Sequence, residues 1–563
     1  MMAFTQILWR RVTIVSFVAF FGFVGPSTGA QQTAAIAAAH PLATAAGYAI
    51  LERGGNAFDA AIAITAALAV VEPYSSGLGG GGFFLLHRAG DGVQVMVDAR
   101  ETAPSGVTNA HYFDRDGKPI RGASIRGGTA VAIPGVPAGL VHIAERYGRL
   151  PLTVTLAPAT RLAREGFPID VRYARIAKLR ETFLQSGANT QGFLDKGRAP
   201  STGFVLKQPE LAATLERIAR YGFAGFYEGR LADAMIEAVN QAGGAWRRAD
   251  LTSYKVIERE PVRFNYRGAR ITTAALPSAG GIALAQCLGM LEGFTLGQVG
   301  EASTDHLVIE ALRRAFHDRA RYLADPDFVQ VPVARLISAD YARRRAADID
   351  LTHATRSDAL EAVETAHFES HDTTHLSVVD SEGNRVAATI TINLLFGAGI
   401  VPVGTGILLN NEMDDFSLRP DVPNAFQLRG SIANRIEPRK RPLSSMTPTF
   451  VEDDKGVLIL GAPGGSRIVS QVLLAILQYL QSPDPDLEGL VSMPRYHHQF
   501  WPDLVEIEPN RYTPEWRAAI AAKGHAIQSA NRAWGNMQAV FKAKRDGVAQ
   551  AASDPRGEDV GWY

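Results

Sequence analysis

The chain has 563 residues, 57 basic and 57 acidic side chains, 46% hydrophobic residues and a single cysteine. Zero net charge gives nucleic acid no basic excess to bind, and the apolar fraction is that of a chain with a sizeable core, in one large domain or two to four smaller ones. With Cys287 alone, an intrachain disulfide and any cysteine-based metal cluster are excluded.

Residues 1–30 read as a signal peptide: Arg10-Arg11, the apolar run Val12–Val24, then small residues from Ser27 to Ala30. The run is shorter than the roughly 20 apolar residues that a membrane-spanning helix needs. An exported protein, periplasmic or secreted and without a stable membrane anchor, is expected; an uncleaved anchor is the alternative. Helical spacing covers Pro41–Glu52, stopped by Gly54-Gly55, and the nearly all-apolar Asp59–Val71 is a buried helix. After the glycine-rich Tyr74–Gly82 come a short strand, Phe83–His87, and its hairpin partner, Val93–Asp98. From Gly135 to about Ala347 the pattern is mostly helical, as in Pro209–Tyr221, Leu231–Gln241, Gly280–Glu292 and Thr304–Leu323. Asp348–Asp372 is polar and aperiodic. Alternation then begins abruptly, with strands at His375–Asp380 and Arg385–Asn393 joined by the turn Ser381–Asn384. A second pair, Thr449–Val451 and Val457–Leu460, precedes an apolar helix, Ser466–Leu480; Leu504–Ile507, Glu515–Lys523 and Gln538–Lys542 follow as strand, helix and strand.

Several segments carry residues capable of chemistry. Thr373-Thr374 opens a strand directly after the polar segment. If the Asp372–Thr373 bond were cut, Thr373 would hold a hydroxyl and its own α-amine, which titrates near ~8 and can act as general base. Strand propensity alone also explains a threonine pair there. Gly464-Gly465 lies between a strand and a helix, where backbone N–H groups make an oxyanion site or simply a tight turn. Gly77–Gly82 follows a helix and precedes a strand, the reverse of the dinucleotide fingerprint, so close chain packing is its expected role. Asn410–Asp415 (NNEMDD) suits an ammonium group or a cation, or is a solvated loop. Arg439–Ser445 on its own reads as an exposed turn. His497-His498 point apart on any regular backbone, and no metal-ligand spacing such as His-Glu-x-x-His occurs.

Taken in order, these segments resemble the γ-glutamyltranspeptidase (γ-glutamyltransferase, glutathione hydrolase) family. The likeness runs from about His40 to the C-terminus. It is carried by GGNAFDAAIA at Gly54–Ala63, GLGGGGF at Gly77–Phe83, ARETAP at Ala99–Pro104 and TTHLSVVD from Thr373. ILLNNEMDDF ending at Phe416, KRPLSSMTPT at Lys440–Thr449, GAPGGSRI at Gly461–Ile468 and SDPR at Ser553–Arg556 complete it.

The resemblance implies an α+β, four-layer αββα N-terminal-nucleophile hydrolase that cuts itself into a large piece, 31–372, and a small piece, 373–563, which remain together as a heterodimer in one intertwined catalytic domain. Thr373 would be the nucleophile and Thr391 the hydroxyl that hydrogen-bonds its new amine. Arg100 would clamp the substrate α-carboxylate with help from Ser444 and Ser445. Asn393, Glu412 and Asp415 would hold the α-ammonium, and Gly464 and Gly465 would supply the oxyanion N–H groups. Arg100 is expected on one side of the substrate and Glu412 with Asp415 on the other. The implied substrates are small γ-glutamyl compounds such as glutathione, with water or an amine as acceptor and no cofactor or metal. Pro420–Ser431 matches a lid over the pocket in bacterial members. Phe426 stands where several carry tyrosine, so a phenol latch is lost here, and position 412 is Glu where some have Gln. A cephalosporin (glutaryl) acylase of the same fold and a non-catalytic exported binding protein are the rival readings.

Overall fold

The computed structural model describes residues 33–360, 373–419 and 422–557. The expected signal peptide, Asp372 and the first two residues of the expected lid lie outside the described residues.

Two six-stranded sheets form the centre. The first runs in the order Ala35–Ala38, Thr374–Val379, Arg385–Thr391, Gly81–Arg88, Val93–Ala99, Ile257–Arg259. The second runs Ala549–Ser553, Gln538–Ala543, Gly456–Gly461, Thr449–Glu452, Ala269–Thr273, Val262–Tyr266. All neighbours in both sheets are antiparallel.

Strand alternation divides the first sheet's side chains between two cores. Leu376, Val378, Val386, Ala388, Ile390, Phe84 and Leu86 pack with the helices Pro41–Leu51, Ala57–Val71 and Val136–Arg146. Their neighbours Phe83, Leu85, Ala35, Ala37 and Ala387 face the second sheet. That sheet is covered on its far side by Gly280–Leu291, Ala302–Tyr322 and Arg467–Gln481, in the same core. The result is helix, sheet, sheet, helix, the four layers expected. Ala57–Val71 is buried at every position, as its uniform apolarity requires. It starts two residues earlier than expected because Asn56 and Asp59 form a reciprocal capping box, each accepting the other's backbone N–H at 3.0 Å.

The largest departure from expectation lies in the stretch read as mostly helical. Ile257–Arg259, Val262–Tyr266 and Ala269–Thr273 are strands, the last two a hairpin turning at Gly268, whose φ is +84°. Two of the three are sheet edges, with one exposed side carrying Arg263 and Asn265, so their apolar content is too low to stand out. Among the described residues no helix is long and apolar enough to cross a membrane.

Candidate active site

Thr373 immediately precedes the Thr374–Val379 strand, whose pairing ends with Thr374 opposite Ile390. One step further, the Thr373 hydroxyl lies 3.5 Å from the Thr391 hydroxyl, at the limit of a hydrogen bond, and both residues are buried. Thr391 Oγ accepts the Asn393 N–H at 2.8 Å. Asn393 takes the left-handed backbone (φ +72°), which asparagine tolerates better than most residues, and its side-chain amide donates to the Asn411 carbonyl at 2.9 Å. Alternation sends Thr374 the other way, to Glu72 at 2.9 Å. His375, two residues from Thr373, is no base for its hydroxyl. Its ring bonds Thr389 and Ser377 between the sheets, and burial pushes its pKa down to about 3, so it stays neutral.

The glycine-rich run Gly77–Gly82 serves packing, as expected. A Cβ on Gly80 would sit 1.9 Å from the Thr391 carbonyl oxygen, and one on Gly79 2.1 Å from the Leu408 carbonyl oxygen, so this run lets the Thr391 strand and the chain leading to Asn410 pack against it. Gly464 and Gly465, at φ +130° and +58°, turn the chain from the Gly456–Gly461 strand into the Arg467–Gln481 helix. Gly465 lines the cavity that holds Thr373, whereas Gly464 opens onto a neighbouring groove walled by Leu395, Trp534 and Arg172. Among the described residues neither amide N–H has a hydrogen-bond acceptor.

Thr373, Thr391, Asn393, Arg100, Glu412, Asp415, Ser444, Ser445 and Gly465 all wall one cavity. The geometry of the charged residues corrects the expected division into two sides. Arg100, fully buried, donates directly to Glu412 and, at 2.5 Å, to Asp415 Oδ2, with Glu101 at 3.5 Å and the Pro442 carbonyl at 3.2 Å. Cation and carboxylates therefore form one contiguous dipolar patch. The physical reason lies in two buried acids: burial holds the Glu412 carboxyl well above its ordinary range and leaves Glu101 at about 7, even though the guanidinium pulls both down. Burial opposes the charge on Arg100, but Glu412, Glu101 and Asp415 together raise its pKa above the ordinary value. Two polar atoms in this cavity, Glu412 Oε2 and Ser445 Oγ, are buried without a hydrogen-bond partner among the described residues. Such atoms cost about 1–3 kcal/mol each unless something arrives to pair them. Ser444 Oγ accepts the Met446 N–H at 3.1 Å.

Local sequence misjudged one segment and left a second open. Arg439–Ser445, read alone as an exposed turn, is buried at Lys440, Arg441, Ser444 and Ser445. Its charges are matched from afar: Arg441 pairs with Asp98 and also donates to the carbonyl of Arg100, and Lys440 reaches the Ala433 carbonyl at 2.6 Å. Asn410–Asp415 is likewise interior except for Asp415, which is partly buried, because Asn410 bridges the Gly79 and Ala132 carbonyls at 2.7 and 2.8 Å. Three residues important to the site were missed. Glu101 stands beside Arg100 in the ARETAP segment, which was the available signal. Asp414 accepts the Ala425 N–H at 2.8 Å and the Ser124 hydroxyl at 2.7 Å, anchoring the loop over the cavity. Gln499 reaches the same loop and gives no signal in sequence.

Residues 43–562 match the family model described as Gamma-glutamyltranspeptidase. The chain is 40% identical over 529 residues to the glutathione hydrolase proenzyme of Escherichia coli K12, covering 93% of this chain and 90% of that protein. It is 38% identical over 526 residues to the acylase ACY 1 proenzyme of Pseudomonas sp. strain V22, covering 92% and 90%. Among solved structures, the cephalosporin acylase of Bacillus halodurans superposes with a TM-score of 0.81 at 28% identity, over 95% of this chain and 97% of that one.

Proposed function

Because this chain belongs to the gamma-glutamyltranspeptidase family, we propose that it cleaves the γ-glutamyl amide of glutathione and related compounds and passes the acyl group to water or to an amino acid or peptide. Overall identity hardly separates the hydrolase and acylase relatives, at 40% and 38%, so the site must. The observation that carries the reading is the patch of Arg100, Glu412 and Asp415 in the cavity of Thr373. An α-amino acid bears its carboxylate and ammonium on one carbon, so its complement is a cation and anions side by side. On binding, the substrate carboxylate takes the Arg100 guanidinium and the ammonium takes Glu412 and Asp415, so no charge is stranded. Ser445 Oγ and Glu412 Oε2 gain the partners they lack. A glutaryl group brings the carboxylate but no ammonium. It would take Arg100 away from the acids and give them nothing in return, which disfavours the acylase reading.

The precursor first cuts the Asp372–Thr373 bond. The Thr373 hydroxyl attacks the preceding carbonyl, and water releases the resulting ester to leave pieces 31–372 and 373–563. They stay together because each sheet mixes strands from both: Thr374–Val379 is paired on one side by Ala35–Ala38, and Thr449–Glu452 by Ala269–Thr273. In the mature site the new α-amine, oriented by Thr391, takes the proton from Thr373 Oγ as it attacks the γ-carbonyl. The N–H groups of Gly464 and Gly465 receive the oxyanion. The leaving amine departs with the proton, and water or an acceptor amine repeats the attack on the γ-glutamyl ester. Release of p-nitroaniline from γ-glutamyl-p-nitroanilide, accelerated by glycylglycine, tests the reading. No release from the processed protein, or one uncut inert band on a gel, would favour a binding protein instead.

A further inference from the structure

Three of the hydrogen bonds that pin the loop ending the cavity bear on the site. Asp414 accepts the Ala425 N–H at 2.8 Å, and Asp415 accepts the Asn424 side-chain amide at 3.3 Å. These two tie the near side of the loop to the Glu412–Asp415 turn. The third pin comes from elsewhere in the chain. Gln499 Nε2 donates to the Phe426 carbonyl at 3.0 Å and to the Trp501 carbonyl at 3.2 Å. Its Oε1 accepts the Ser466 hydroxyl at 2.5 Å and lies 2.9 Å from His497 Nε2. Ser466 directly follows the oxyanion glycines. One side chain thus staples the loop backbone to the turn that carries Gly465.

The staple has a defined polarity. His497 Nδ1 lies 2.5 Å from Ser470 Oγ, and burial pushes the ring's pKa down to about 3, so the imidazole is neutral. The Phe426 and Trp501 carbonyls both need a donor, which places the Gln499 NH₂ toward them and its oxygen toward Ser466 and His497. His497 Nε2 then carries the proton that Oε1 accepts, and Nδ1 accepts from Ser470. The Phe426 ring is held flat against the oxyanion turn, since a Cβ on Gly465 would fall 2.5 Å from its Cδ1. A phenyl ring offers no hydroxyl for a latch, but a bond to the backbone carbonyl does not depend on the side chain at position 426.

We propose that Gln499 is a positioning residue, the latch that keeps the Phe426 loop closed over the acyl-enzyme and so restrains water in its competition with an amine acceptor. This rests on the function proposed above. The test uses the processed enzyme and two variants. Gln499→Met removes both halves of the staple. Gln499→Glu keeps the shape and the bond from Ser466, but as a carboxylate it cannot donate to the Phe426 carbonyl. Two readouts are taken. One is the ratio of free glutamate to γ-glutamylglycylglycine formed from γ-glutamyl-p-nitroanilide and glycylglycine. The other is the rate of tryptic cleavage after Arg429, within the loop. Loss of the bond to the Phe426 carbonyl, common to both variants, should raise each by about fivefold or more, with cleavage elsewhere in the chain unchanged. Unchanged cleavage after Arg429, or cleavage rising equally at distant sites, would overturn the latch. Faster cleavage with an unchanged product ratio would overturn its role in partitioning. Trypsin reads the latch without any substrate, so an inactive wild type would sink the functional reading and still leave the latch decided.

Discussion

Asp415→Asn is the substitution that separates substrate recognition from structure most cleanly. Arg100→Ala is a poorer choice, because it leaves Glu101, Glu412 and Asp415 facing one another without their cation, and breaking a buried pair in this way costs about 3–5 kcal/mol of stability. Asp415 is less committed to the fold. Its side chain is 12% exposed and, among the described residues, bonds only Arg100 and, at 3.3 Å, Asn424. Asparagine keeps the shape and an acceptor for Arg100, which still has Glu412 and Glu101. What disappears is one of the two charges proposed to receive the substrate ammonium. A hydrogen bond between charged partners is worth about 1.5–3 kcal/mol. At 1.4 kcal/mol per tenfold, kcat/KM on γ-glutamyl-p-nitroanilide should fall roughly 10- to 150-fold. Glutaryl-p-nitroanilide has the same reacting carbonyl and distal carboxylate but no ammonium, and whatever slow turnover it shows should be nearly unaffected. Processing of the precursor involves no substrate and should proceed. If both substrates lose activity equally, Asp415 braces the cavity wall and the recognition of an amino acid through it is refuted.

Three further outcomes follow from the same geometry. Gly465→Ala places a Cβ at φ +58° and against the Phe426 ring, so it should displace an oxyanion N–H and lower kcat by about 10²–10³-fold, checked by steady-state kinetics beside a melting curve. Burial pushes the Asp414 carboxyl up to about 7, whereas in the unfolded chain it ionises near pH ~4. Between those values the folded state binds more protons than the unfolded one, so this group's contribution to stability falls as pH rises from about 4 to 7. Asp414→Asn, which can still accept a hydrogen bond, should flatten that part of the melting temperature against pH; an unchanged slope would show that the carboxyl is ionised in the fold. Export with loss of residues 1–30 predicts an N-terminus near Gln31 on protein recovered outside the cytoplasm, and a cytoplasmic chain beginning at Met1 would contradict it.

The hairpin that bears Thr373 and Thr391 was legible because strong alternation flanks a short polar turn. Its observed limits, Thr374–Val379 and Arg385–Thr391, differ from the expected ones by one or two residues. The helices Pro209–Tyr221 and Gly280–Leu291 were equally plain from their periodicity. Ile257–Thr273 was not, since its edge strands bury only alternate side chains and border long helical stretches. For the site, motif order placed nine of the ten residues in one cavity, with Gly464 at its border. What local sequence could not supply was the pairing between distant segments. Arg441 looks like a surface charge until Asp98 is seen beside it, and Arg100 and Glu412 look like opposite ends of a pocket until they meet. Gln499 is an ordinary loop glutamine in sequence; its role exists only where the Phe426 loop and Ser466 converge on it.

Thr373 is proposed both to cut the chain and then to carry the acyl group. N-terminal sequencing and intact-mass measurement of the purified wild type and Thr373→Ala test it together. The wild type should yield a second N-terminus beginning Thr-Thr-His-Leu-Ser at residue 373 and, with γ-glutamyl-p-nitroanilide under rapid quench, a γ-glutamyl adduct on that piece. Thr373→Ala should remain one chain and release no p-nitroaniline. A Thr373→Ala protein that is processed normally, or an adduct on any other residue, would contradict the account.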